Sequence, residues 1–137
     1  MAVIQELIRQ EENGSISFGN YLMDEKKKVL DFEAGGDLYK VKTFREITKL
    51  EKNGKMLLEA VPGATIHHFG MDEKGARFSV ESEEDVQITL ELEPETEYKI
   101  LIDDVNVGKM KTNMAGKVNF SVERHSKMPQ VEIEKIG

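Results

Sequence analysis

The chain has no cysteine and no tryptophan, only three prolines in 137 residues, and an aromatic fraction of 7%. Without cysteine there is no disulfide, no thiolate metal site and no cysteine nucleophile. Without tryptophan, and with Tyr21, Tyr39 and Tyr98 as the only tyrosines, a broad aromatic platform for neutral sugars is missing. No stretch approaches the roughly 20 apolar residues that span a bilayer. The start, "MAVIQELIR", lacks the basic opening and long apolar core of a secretory signal. These absences lead us to expect a cytoplasmic protein with no membrane partner. Basic residues are also short, 19 Lys and Arg against 26 Asp and Glu, so the net charge of −7 opposes binding to phosphate backbones and excludes nucleic acid as the expected partner. The one dense basic run, Lys26-Lys27-Lys28, reads as a solvated loop without a function.

What is present is alternation. In "VQITLELEP" the side chains of Val86, Ile88, Leu90 and Leu92 fall on one face and those of Gln87, Thr89, Glu91 and Glu93 on the other, the pattern of a half-buried strand. "EYKILID", "KVNFSVE" and "QVEIEK" repeat it. Asn13-Gly14 and Asn53-Gly54 are hairpin dipeptides of the type I′ kind, and glycines 75 and 116 mark further turns. Pro62, Pro94 and Pro129 stand between runs, as a strand ladder requires.

The spacing predicts strands over 3–10, 15–22, 28–34, 37–44, 46–52, 55–61, 64–69, 76–81, 86–93, 97–103, 105–111, 116–123 and 130–135. Two segments, Val3 to Ile8 and Phe44 to Leu50, also fit helical spacing. The expected class is all-β, an antiparallel β-sandwich, with residues 1–137 as a single compact unit. A seam near Pro62-Gly63, between two small lobes, is the alternative organisation.

"LELEPETEYKILID" carries Leu92, Pro94, Thr96 and Tyr98 in the pattern L-x-P-x-T-x-Y between two alternating runs. It resembles the corner between sheets in fibronectin type III and immunoglobulin-like sandwiches. The resemblance implies that the C-terminal half is of that kind, and that the ring of Tyr98 is buried while its hydroxyl caps a backbone group at the crossing. Ile100 occupies the place of the disulfide cysteine found in antibody domains. The stretches "SISFGNY", "GDLYKVKTF", "ITKLEKNGK" and "ITLELEPETEYKILIDDVNVGKMKTN" make the chain similar to short clostridial proteins that sometimes carry an endosialidase-like name. That likeness implies a bacterial all-β protein and brings no catalytic motif with it.

Chemistry-bearing residues are sparse. His67 and His68 are adjacent, so a strand sends them to opposite faces, and only His125 remains as a third imidazole. Asp104 and Asn106 are the weak metal candidates. If they opened a calcium loop, however, the third ligand would be Gly108, the turn glycine Lys109 and the closing glutamate Ala115. No cofactor is expected. The carboxylates Asp31, Glu33, Glu91 and Glu93 read as solvated faces, Gly35-Gly36 as a turn rather than a phosphate loop, and no serine has a triad context. No catalytic residue is assigned. The expected function is a non-enzymatic binding module acting through a protein partner or homo-oligomer. A small carbohydrate-binding module using Tyr21 and Tyr39 is the alternative, and a hydrolase of acidic glycans ranks last.

Overall fold

A computed structural model describes residues 3–124 and 128–136. Among them are thirteen strands: β1 (Ile8–Gln10), β2 (Ile16–Phe18), β3 (Lys27–Ala34), β4 (Asp37–Phe44), β5 (Ile47–Lys52), β6 (Lys55–Val61), β7 (Thr65–Asp72), β8 (Gly75–Glu81), β9 (Val86–Glu91), β10 (Glu97–Ile102), β11 (Val105–Lys111), β12 (Lys117–Val122) and β13 (Gln130–Lys135). No described residue lies in a helix, so none forms a helix long and apolar enough to cross a membrane.

The strands form two antiparallel sheets. One has the order β1-β2-β7-β8-β13-β10-β11, the other β12-β9-β6-β5-β4-β3. Alternation places Phe18, Ile66, Phe78, Val80, Ile100 and Ile133 of the first against Val41, Leu50, Leu58, Ile88, Leu90 and Val122 of the second, in one buried cluster. The architecture is a β-sandwich. Pro62-Gly63 marks the place where the chain passes from β6 in one sheet to β7 in the other, and both sheets draw strands from both halves of the chain.

The first two expected strands are much shorter than their apolar content suggests. Val3 and Ile4 are buried, yet Leu7 has φ of +72° and its N–H bonds back to the Ile4 carbonyl at 3.0 Å, a turn rather than a strand or helix. At Gly19, just past the end of β2, φ is +104° and an added Cβ would stand 2.4 Å from the Ala64 carbonyl oxygen, so only glycine fits this close approach. β3 begins at Lys27, one residue before the expected start at Lys28, so the run Lys26-Lys27-Lys28 is not a loop throughout.

One of the two hairpin dipeptides forms the expected turn and the other does not. Asn53-Gly54 has positive φ at both residues (+51° and +83°), as a type I′ turn needs. Around Asn13 only Gly14 is left-handed. There the Glu11 N–H reaches the Ser15 carbonyl and the Gly14 N–H reaches the Glu11 carbonyl, a longer loop closed by a glycine. The same bonding recurs between Asn113, Gly116 and Lys117.

Buried threonines fasten the sheet crossings. The Thr48 hydroxyl donates to the Ala64 carbonyl (2.7 Å) and accepts the Ala64 N–H (3.1 Å). Its single proton is thereby used, so Thr43 must donate in the 2.8 Å Thr43–Thr48 contact, and Thr43 accepts from the Asn20 N–H. Thr65 donates to the Gly19 carbonyl at 3.0 Å. No buried side-chain polar atom among the described residues lacks a partner.

Candidate functional site

The β10–β11 hairpin joins two contrasting regions. At its root the chain arrives from β9 in the opposite sheet through residues 92–96, where turn and crossing expose backbone groups that must be satisfied. Tyr98 is 2% exposed, and its hydroxyl accepts the Glu93 N–H at 3.3 Å. Leu92 packs against the core, and the Pro94 carbonyl accepts the Thr96 hydroxyl at 2.9 Å. Thr112, which the sequence reading passed over, completes the corner. Its buried hydroxyl accepts the Thr96 N–H at 2.8 Å and donates to the Glu93 carbonyl at 2.5 Å, with a longer contact to the Thr96 carbonyl. No motif marks Thr112, because its partners lie 16 and 19 residues away.

At the tip, Ile102 pairs with Val105, and Asp103-Asp104 forms a two-residue turn with φ of +52° and +67°. The side chain of Asp103 accepts the Gln130 N–H at 2.9 Å, and that of Asn106 accepts the Gly108 N–H at 3.0 Å. Both side chains thus bond to the backbone beside them. Among the described residues no group of three or more His, Asp and Glu is placed to hold a metal ion, and Asp104 and Asn106 join none.

A bulge in the ladder between β10 and β11 sets Ile100 opposite Gly108 and Leu101 opposite Asn106. Beside it the two edge strands β11 and β12 leave the sandwich open along one side. The opening is a groove of about 590 Å³ with apolar walls from Ile100, Ile102, Val105, Val107, Met110 and Phe120. Val105 and Val107 remain 62% and 56% exposed. Asp103, Lys109 and Glu123 line the same groove.

Tyr21 and Tyr39 lie in different places. Tyr21, half-buried in the crossing after β2, donates to Glu81 at 3.1 Å, and Glu81 also holds Nε2 of buried His67 at 2.9 Å. Burial, and then the Glu81 charge, push the Tyr21 hydroxyl up to about 12. Tyr39, also half-buried and raised by burial, lines a separate cavity of about 350 Å³ with Asn13, Lys52, His68, Asp72 and Arg77. His68 is exposed on the face away from His67, with φ of +54° and its backbone N–H bonded to Ser17. His125 lies outside the described residues.

The carboxylates whose pKa is displaced all move downward. Glu11 is lowered by the Ser17 hydroxyl, Asp37 by Asn53 and Glu134 by Lys99. That shift favours an ionised carboxylate and works against a general acid. Asp31 sits in a β3 bulge at φ of +55°, which breaks the simple two-residue spacing to Glu33. No family model, no curated protein and no solved structure matches the chain.

Proposed function

We propose that this protein is a non-enzymatic β-sandwich module that acts through protein binding, with self-association at the β11–β12 opening as its concrete form. The supporting observation is the groove that leaves Val105 and Val107 in solvent beside two edge strands, β11 and β12, each of which pairs with only one other described strand. Apolar surface bordering free backbone donors and acceptors is a natural template for another chain. The immunoglobulin or fibronectin-like character of the C-terminal half is part of the same proposal, supported by the Tyr98 hydroxyl at the β9-to-β10 crossing. The thirteen-strand arrangement exceeds the seven to nine strands of immunoglobulin domains, so the proposal extends to the corner and its neighbours. Kinship with the short clostridial proteins and a cytoplasmic setting, in keeping with a cysteine-free chain, are proposed alongside. Sedimentation of the purified protein across a wide concentration range tests self-association. A mass that rises with concentration is expected, and a constant monomeric mass would remove it.

A second reading, a small carbohydrate-binding module, draws support from Tyr39 lining the cavity that holds Asn13, His68 and Arg77. A glycan array separates the two: binding abolished by Tyr39→Ala favours this reading, and an empty array removes it.

A further inference from the structure

The basic run Lys26-Lys27-Lys28 gains a setting from strand register. On β3, β4 and β5, Lys28 pairs directly with Lys42, and Lys42 with Lys49. Val41, Thr43, Thr48 and Leu50 are buried on the inner face, so Lys40, Lys42 and Lys49 share the outer one. Like charges directly opposite one another destabilise a sheet. The effect is visible at Lys42, whose pKa is lowered first by burial and then by Lys26, Lys49, Lys28 and Lys40. Glu51 reaches Lys40 and Lys49, each at 3.8 Å, whereas Lys28 and Lys42 form no ion pair among the described residues. Protection of an edge explains lysine on β3, but not the continuation of the row onto two interior strands.

The patch has apolar ends. Leu38, 46% exposed, precedes Lys40 and Lys42 on the outer face of β4, and half-buried Phe44 and Ile47 follow them, with Lys26 Nζ 6.0 Å from the Phe44 ring centroid. Setting these five lysine charges aside, the formal net of −7 becomes −12 on the rest of the chain. The patch is therefore a local exception on an acidic molecule, bounded on the same face by Glu33, Glu51 and Glu59. A broad anionic membrane would meet those carboxylates together with the lysines, whereas a single extended chain can follow the lysines between them, and no fully exposed aromatic ring offers single-stranded nucleic acid a stacking surface. Along β4, Lys40 and Lys42 stand two residues apart, roughly 6 to 7 Å, which is the spacing of same-face side chains in any extended polypeptide.

We propose that the outer face of β3-β4-β5 binds an extended acidic polypeptide segment whose alternating carboxylates meet Lys28, Lys40, Lys42 and Lys49 and whose apolar residues meet Leu38 and Phe44. This surface lies on the far side of its sheet from β12 and is independent of the β11–β12 groove.

The experiment is fluorescence anisotropy with a labelled alternating Glu-Val peptide, run beside a single-stranded oligonucleotide and phosphatidylserine vesicles. Saturable, salt-sensitive binding of the peptide is expected. Lys42→Glu should weaken it by about tenfold or more, while Lys74→Glu, in the β7–β8 turn, should leave it unchanged. Lys42→Gln provides a variant that relieves the like-charge row, and it should melt at or above the wild-type temperature while still binding more weakly. Absence of peptide binding, equal losses from Lys42→Glu and Lys74→Glu, or equally tight Lys42-dependent binding of the oligonucleotide or vesicles would each overturn the proposal.

Discussion

The two ends of the β10–β11 hairpin meet opposite physical demands. At the root, the chain changes sheets and its freed backbone groups are taken up one by one, by the Tyr98 hydroxyl and by Thr112 acting as both donor and acceptor. At the tip, the backbone needs little help, since Asp103-Asp104 closes a two-residue turn and Asp103 ties it to Gln130. What the tip leaves unsatisfied is apolar surface. Burying a polar group without a partner costs folding stability, whereas an exposed valine costs little in the monomer and rewards association. The root therefore serves stability, and the tip is where the proposed association would act.

The sharpest way to break this contrast is at Thr112. Replacing it with valine keeps the shape but leaves the Thr96 N–H and the Glu93 carbonyl without their partner, and should cost about 2 to 3 kcal/mol in urea unfolding. Tyr98→Phe removes one acceptor at 3.3 Å and should cost about 1 to 2 kcal/mol by the same measurement. An unchanged midpoint in both variants would show that the root is not held in this way. At the tip, Val105→Lys with Val107→Lys should change stability by less than about 0.5 kcal/mol, because both side chains are already mostly in water.

A fourth outcome concerns the neighbouring crossing after β2. The Tyr21 pKa is raised from 10.0 to about 12, so the folded state holds this proton where the unfolded state releases it. Its contribution to stability is complete below pH 10 and is lost as the pH rises through 12. Tyr21→Phe should flatten that part of an alkaline unfolding profile, and an identical slope in the two proteins would contradict the assignment. At neutral pH this effect is the smallest, because the Tyr21 hydroxyl is protonated in both folded and unfolded states until the pH approaches 10.

Much of the sandwich was legible in the chain, because period-two alternation reports one buried face directly. Val86 to Leu90, Tyr98 to Ile102 and Val118 to Val122 became strands with the expected faces. Val3 and Ile4 misled because burial does not require a strand, and the left-handed Leu7 that bends the segment has no local signature. Gly19 is required just past β2 by a close approach to Ala64, 45 positions away in sequence and hence invisible to a window of neighbours. Tyr98 could be picked out because its motif is local. Thr112, the His67–Glu81–Tyr21 contacts and the lysine row could not, since each exists only once the strands have paired. The exposed Val105 and Val107 looked like ordinary strand residues until the bulge opposite Gly108 and the end of the facing sheet at β12 left them uncovered.

The most direct measurement is light scattering on the wild type and the Val105→Lys, Val107→Lys double variant over the same concentration range, with urea midpoints in parallel. The account predicts a wild-type mass that rises above the monomer, a variant that stays monomeric, and matching midpoints at low concentration. A wild type that stays monomeric throughout, or a variant that associates equally well, would contradict it.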